Sequence, residues 1–207
     1  MGSFLLVGGS SDIGLILAEK LIQRGDNVTL LVRDESRIAS LPSESVQVLV
    51  GDANDESLVL AAVESCLSSG DGTIDGVAHL VGSFAVRPPH AMNKESFQDV
   101  LSTNLVSAFV TLSVACKHML RTGGGRVVFT SSVAGSLGLV NHEAISAAKG
   151  GVESMVRSAA ATYSKRGIRG NAVAPGLTET RLSSPITSSE ASKDAAVGMI
   201  PLNRINK

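Results

Sequence analysis

FLLVGGSSDIGLILAEKLIQRG, residues 4–25, opens on a short apolar run, Phe4 to Val7, that stops abruptly at Gly8-Gly9-Ser10-Ser11. Beyond the turn Ile13, Leu17 and Leu21 recur at helical spacing until Gly25 closes the segment, so the stretch reads as strand, tight glycine turn and helix. The glycines let the backbone approach a ligand closely, and the first turn of the helix aims free N–H groups at an anion. A plain strand-to-helix turn capped by Asp12 fits the same residues, since the spacing is not Gly-x-Gly-x-x-Gly.

Outward from this unit the same alternation repeats. Apolar runs predict strands at Val28–Val32, Val46–Val50, Ile74–Val81, Arg126–Thr130 and Arg169–Ala174. Helical patterns lie between them: a short one ended by Pro42, then Asp55–Leu67, Lys94–Arg121 and His142–Lys165, the last with Asn141 as its expected N-cap. Six β-α alternations with near-continuous apolar strands predict an α/β fold, a doubly wound parallel sheet with helices on both faces. No linker, low-complexity tract or further repeat divides the 207 residues, so residues 1–207 are expected to form one domain.

Composition excludes several classes of function. A net charge of −1 creates no strong field, so neither nucleic acid nor an acidic membrane surface is expected as a partner. No apolar run approaches the roughly 20 residues of a membrane span, and the early glycines and serines interrupt any signal peptide. A cytoplasmic location is expected, or an organelle stroma or matrix if a transit peptide has been removed. Cys66 and Cys116 sit in helical patterns without ligand spacing, which predicts reduced core thiols and no metal site.

In such a sheet ligands bind beyond the carboxyl ends of the strands, where this chain carries glycine, serine, aspartate and asparagine. The segment SSVAGSLGLVNHEAISAAKGG, residues 131–151, is the richest of these ends. His142, Ile145, Ser146 and Lys149 stand at i, i+3, i+4 and i+7 of its helix and share a stripe, with Ser132 at the preceding strand end.

Together these features resemble the short-chain dehydrogenase/reductase family, in order and spacing, from Phe4 to about Arg204. Gly8-x-x-x-Asp12-x-Gly14 is similar to its Gly-x-x-x-Gly-x-Gly turn, and Asp52-Ala53 to its adenine-contacting pair. Gly82 resembles the last glycine of its Asn-Asn-Ala-Gly motif, Asn104 its helix-four asparagine, and Ser132 and Lys149 its catalytic serine and lysine. Asn171 to Gly176 with Thr180 resembles its late Pro-Gly motif. The resemblance implies a Rossmann-like NAD(P)-binding domain and an oxidoreductase that interconverts a small carbonyl and an alcohol. It implies cofactor contacts from Gly8, Ser10, Ser11, Ile13, Gly14, Arg33, Asp52, Ala53, Gly82, Lys149, Pro175, Gly176, Thr178 and Thr180. It also implies a homodimer or homotetramer built through the helices Lys94–Arg121 and His142–Lys165, whose small residues Ala147, Ala148, Gly150 and Gly151 allow close packing.

Cofactor choice turns on the end of the second strand. An acidic residue there would bind the ribose 2′-OH of NAD and repel a 2′-phosphate, whereas Val32 is followed by Arg33, so NADP(H) is expected over NAD(H). Arg33 can also be a solvated surface arginine neutralised by Asp34.

The family pattern breaks in identifiable places. Its tyrosine, counted forward from Ser132 and back from Lys149, falls on Ile145, which has no proton to give. The only tyrosine, Tyr163, lies eighteen residues further along the helix, about 27 Å at 1.5 Å per residue. His142 is the nearest replacement acid, or else a residue lining the cleft mouth at the helix start, where the dipole disfavours the imidazolium. Glu143 reads as a first-turn acid favourable to that dipole. With the tyrosine replaced, a non-catalytic dinucleotide binder or a silent subunit of a mixed oligomer is the alternative to an enzyme. His79 stands where the family has the first asparagine of Asn-Asn-Ala-Gly, and reads as a core histidine satisfied by backbone. Asp12 replaces the middle glycine of the turn, where its carboxylate can cap the helix or weaken binding of a pyrophosphate. Residues 177–198, rich in serine, alanine and threonine, read as a mobile flap over substrate. MIPLNRINK, residues 199–207, resembles the start of the segment that leads to a last helix and a seventh strand, so the C-terminus reads as incomplete or the sheet ends on an exposed edge.

Overall fold

The apolar runs form six strands: β1 (Ser3–Val7), β2 (Asn27–Val32), β3 (Val46–Val50), β4 (Gly76–His79), β5 (Gly125–Thr130) and β6 (Ile168–Val173). All neighbours are parallel, in the order β3-β2-β1-β4-β5-β6, so the direction of winding reverses between β1 and β4. Helices α1 (Asp12–Gln23), α2 (Glu56–Ser68), α3 (Lys94–Leu101), α4 (Ser107–Met119) and α5 (Glu143–Tyr163) connect the strands, and α6 (Ser184–Thr187) and α7 (Glu190–Gly198) follow β6. This computed structural model describes residues 1–207 apart from the side chain of Ser43.

Side-chain alternation along the strands divides the core. Leu6, Val28, Leu30 and Val32 face α1 and pack with Ala18 and Leu21. Leu5, Val7, Val77, Val127 and Phe129 face the other way, against Val59 and Val63 of α2, Leu112 and Met119 of α4, and Val152 and Val156 of α5. Burying each of Leu5, Leu6, Leu30 and Leu31 contributes roughly 1.5–3 kcal/mol. Both cysteines are buried free thiols, and burial pushes them up to about 12 for Cys66 and about 11 for Cys116.

Several expected boundaries shift for physical reasons. The fourth strand contracts from Ile74–Val81 to Gly76–His79, because its partner β1 ends at Val7 and the last pairing bond is Leu80 N–H to Val7 O, 2.7 Å. The helix expected over Lys94–Arg121 stops at Met119 and is interrupted by a π-helical turn, Ser102–Val106. By length and composition this run could cross a membrane, yet half of its most apolar stretch is buried inside the fold. Asn141 does not cap α5: it holds a left-handed φ of 62°, and His142 takes the N-cap position without a side-chain capping bond. The short helix before Pro42 is one 3-10 turn, Glu35–Ile38, capped by Asp34.

Candidate active site

The turn after β1 is built around α1. Ser11, not Asp12, caps this helix, its Oγ accepting from Gly14 N–H at 3.1 Å. A Cβ on Gly14 would lie 2.6 Å from Gly9 O, so only glycine permits this closeness. The first-turn amides of α1 remain directed out of the carboxyl end of the sheet, at the point where the winding reverses. The Asp12 carboxylate is taken up elsewhere: Arg181 Nε lies 2.6 Å from Oδ1, Arg181 N–H donates to Oδ2 at 2.7 Å, and Arg181 Nη2 donates to Ser10 O at 3.0 Å.

At the neighbouring strand ends Arg33 is exposed. Asp34 does not neutralise it; Asp34 accepts from Ser36 N–H and Oγ and pairs with Arg37 Nε at 3.2 Å. Those bonds and the nearby guanidinium hold the Asp34 carboxyl below its ordinary range. Arg33 has no ion pair among the described residues. Asp52 accepts from Asn54 N–H at 2.8 Å, and Ala53 is buried beside it.

Across the switch point three expected site residues converge. A Cβ on Gly82 would meet Asn104 Oδ1 at 3.4 Å and Lys149 Nζ at 3.6 Å, so the amide and the ammonium both abut this glycine. Asn104 is fully buried in the π turn; Oδ1 accepts from Ser83 N–H at 3.1 Å, and Nδ2 donates to Ser83 Oγ at 2.8 Å and Val100 O at 2.9 Å. Lys149 Nζ donates to Thr130 O at 2.8 Å and Val81 O at 3.5 Å, which leaves one of its three N–H groups for another acceptor. Burial lowers the Lys149 ammonium to about 8.

His79 lies behind this group. Besides a backbone hydrogen bond of its own residue, the ring meets Ser107 Oγ through Nε2 at 3.1 Å. Because Ser107 Oγ donates to Thr103 O at 2.6 Å, Nε2–H is the donor to the hydroxyl. Burial first, and the Lys149 charge second, push the imidazole down to about 3, so it stays neutral.

Ser132 follows β5 and its Oγ accepts from Ala134 N–H at 3.2 Å, which leaves the hydroxyl hydrogen available. The segment carrying it is held by Glu153, which the sequence reading passed over. Ser131 Oγ donates to Glu153 Oε1 and Ser136 Oγ to Oε2, each at 2.8 Å, and these bonds hold the Glu153 carboxyl below its ordinary range. Glu153 stands four residues after Lys149 on α5, a spacing that could have flagged it. Ser131 Oγ also lies 3.2 Å from Lys149 O, so strand end and helix meet here.

Ile145 is 7% exposed and packs with Val100, Ala134, Ala144 and Ala148. His142 has no hydrogen bond to this group; its Nδ1 donates to Val140 O at 2.7 Å. A cavity of about 520 Å³ has Arg87, Met92, Asn93, Phe97, Ala144 and Ala147 among its walls, but neither Ser132 nor Lys149. Of the small residues expected on an assembly face, Ala148 is fully buried, Gly151 lies against Leu105 and Gly150 against Gly135 O; only Ala147 is exposed. Close packing within the chain already uses the others.

Beyond β6, Pro175 O accepts from Val133 N–H at 3.0 Å, placing Pro175-Gly176 beside the serine segment. Thr178 Oγ1 donates to Gly176 O at 3.1 Å, and Thr180 N–H donates to Ser183 Oγ at 3.0 Å. Asn206 brackets the same stretch, its N–H donating to Leu177 O and its carbonyl accepting from Glu179 N–H.

This arrangement has recognisable relatives. A family model described as Enoyl-(Acyl carrier protein) reductase matches residues 8–207. The chain is 31% identical over 203 residues to the 3-oxoacyl-[acyl-carrier-protein] reductase MabA of Mycobacterium tuberculosis, covering 98% of this chain and 79% of that protein. The chain belongs to the short-chain dehydrogenase/reductase family. This short-chain dehydrogenase/reductase is also 33% identical over 210 residues to carbonyl reductase family member 4 of Danio rerio, covering 98% of this chain and 84% of the relative. Its fold superposes with a TM-score of 0.89 on an ElxO variant with NADPH bound, at 26% identity, covering 100% of this chain and 86% of the other.

Proposed function

We propose that this protein is an NADP(H)-dependent oxidoreductase that interconverts a small carbonyl and an alcohol, and that it is a divergent member of its family working without the usual tyrosine. The observation that carries this reading is the convergence of Asn104 Oδ1 and Lys149 Nζ on Gly82, across the switch point from the α1 N-terminus. The cradle fits a dinucleotide: Gly14 leaves no room for a Cβ, and free helix amides face the gap for a pyrophosphate. Gly8, Ser10, Ser11, Ile13 and Gly14 would hold the pyrophosphate side, Asp52 and Ala53 the adenine, and Gly82, Pro175, Gly176, Thr178 and Thr180 the nicotinamide end. Unpaired Arg33 would take the 2′-phosphate, and the NADPH-bound relative supports that choice.

When bound, the dinucleotide would supply or accept the hydride. Ser132 donates its free hydroxyl hydrogen to the substrate oxygen. Lys149 would keep one N–H for a ribose hydroxyl, and the proton would come through His142, Ser132 or water. Asn104, whose amide fixes Ser83, would hold a water chain toward Lys149. Assembly as a homodimer or homotetramer is part of the same reading, supported by exposed Phe109 and Val106 on the outer side of the α4 region.

The burial of Ile145 in an apolar cluster favours a second reading, a dinucleotide binder without turnover. One experiment separates the two: NADPH oxidation over a panel of ketones and aldehydes by the native protein, Ser132→Ala and Ile145→Tyr. The enzyme reading expects multiple turnovers lost on Ser132→Ala, and a gain in Ile145→Tyr within the roughly 10²- to 10⁴-fold range of general acid catalysis. NADPH binding without turnover across the whole panel sinks it. Tighter binding of NADH than NADPH would overturn the cofactor assignment.

A further inference from the structure

Arg181 and Asp12 are 169 positions apart in sequence, yet three contacts join them and Ser10: the side-chain ion pair, the Arg181 amide on the other carboxylate oxygen, and the Arg181 guanidinium on Ser10 O. A bidentate engagement of one carboxylate by a backbone amide and a guanidinium fixes direction as well as charge. It ties the stretch after β6 to the first turn of α1. The adjoining residues are held in turn, because Ser183 Oγ donates to Thr178 O at 2.6 Å and Thr180 N–H donates to Ser183 Oγ at 3.0 Å. Residues 178–183 are therefore bonded into one knot, whose attachment to the turn runs through Asp12 and Ser10.

We infer that Asp12 and Arg181 form a clasp that holds residues 178–183 across the dinucleotide cradle and sets how fast the cofactor leaves. This rests on the dinucleotide-binding reading above. The charge argument has two parts. A lone carboxylate in the first turn of α1 stands beside the place where a pyrophosphate would sit and repels it. Arg181 cancels that charge and at the same time closes the stretch, so one residue converts an unfavourable substitution in the turn into a latch. Asp12 and Arg181 act through the segment and the local field rather than on reacting atoms; they are positioning residues.

Because both side chains are partly exposed, at 31% for Asp12 and 45% for Arg181, the clasp is weak enough to open and sensitive to salt. The test is a double-mutant cycle of Asp12→Ala and Arg181→Ala with two readouts. Without cofactor, each single variant is expected to speed amide hydrogen exchange in residues 177–183 about 3- to 10-fold, and the double variant no more than the faster single. With NADPH, Arg181→Ala is expected to raise Kd about 3- to 5-fold, chiefly through faster dissociation in a stopped-flow chase. The double variant should bind NADPH more tightly than Arg181→Ala, since the bare carboxylate is then gone. Unchanged exchange in the single variants, or strictly additive effects in the cycle, overturns the clasp. A double variant no tighter than Arg181→Ala overturns its charge-cancelling part. If the native protein binds neither NADPH nor NADH, the dinucleotide reading fails and the control of cofactor release with it, while the exchange data still decide whether the pair holds the segment.

Discussion

The two walls of the candidate site are built from similar polar chemistry at opposite levels of burial. On the β4–β5 side Asn104, His79 and Ser107 are almost fully removed from water and Lys149 is 5% exposed, and each hydrogen-bonds to a neighbour inside the chain. On the α1 side Asp12 and Arg181 meet at the surface. An unmade bond on the first wall leaves a buried polar group without a partner, which costs about 1–3 kcal/mol, whereas a surface pair is worth about 0–1 kcal/mol. The difference assigns roles: the buried wall fixes where groups stand, and the exposed wall sets when a segment opens.

The largest effect belongs to Lys149. Its folded pKa, about 8, lies below the ordinary lysine value of 10.5, so the unfolded chain binds the extra proton between those pH values. The associated stability is fully present above pH 10.5 and is lost as pH falls to about 8. The native protein should therefore gain stability relative to Lys149→Met over this window, by up to roughly 3 kcal/mol, in urea titrations run at several pH values. A constant difference between the two would mean that Nζ is well solvated and the buried wall is misjudged.

Next comes Asn104→Ala, expected to cost about 2 kcal/mol because Ser83 N–H and Ser83 Oγ both lose their partner. Chemical denaturation measures it, and a loss below about 0.5 kcal/mol would place Asn104 with ordinary surface residues. The smallest effect is expected at the clasp. Asp12→Ala and Arg181→Ala should each shift global unfolding by less than about 0.5 kcal/mol even where local exchange changes severalfold. A larger global loss would erase the contrast between the walls.

Legibility follows the same division. The strands, the glycine turn and the parallel class could be read from apolar runs and their punctuation, because burying both faces of a sheet imposes a pattern that propensity and spacing carry locally. Asn104 and Lys149 could be singled out by their positions, but not the π turn that turns Asn104 toward Ser83, since one extra residue inside the run Lys94–Met119 leaves no mark in residue type. Asn141 was a sound cap by type. It lost that place because the chain enters α5 through a left-handed residue, with His142 N–H bonded back to Leu139 O. Ala148 and Gly151 look like an assembly face in one dimension, yet in three they are consumed by Ala144, Ile145 and Leu105 of the same chain.

What the sequence determined by itself was the order of elements and the ends at which chemistry sits. Each of these is a local property, fixed by residue type and by spacing along one helix or strand. Only the tertiary structure decided what Asp12 does, which carbonyls hold Lys149, where the His142 ring is bonded and how Glu153 fastens the serine segment. Those outcomes depend on partners distant in sequence, such as Arg181 for Asp12 and Thr130 and Val81 for Lys149, and no local pattern specifies which donor reaches an acceptor first.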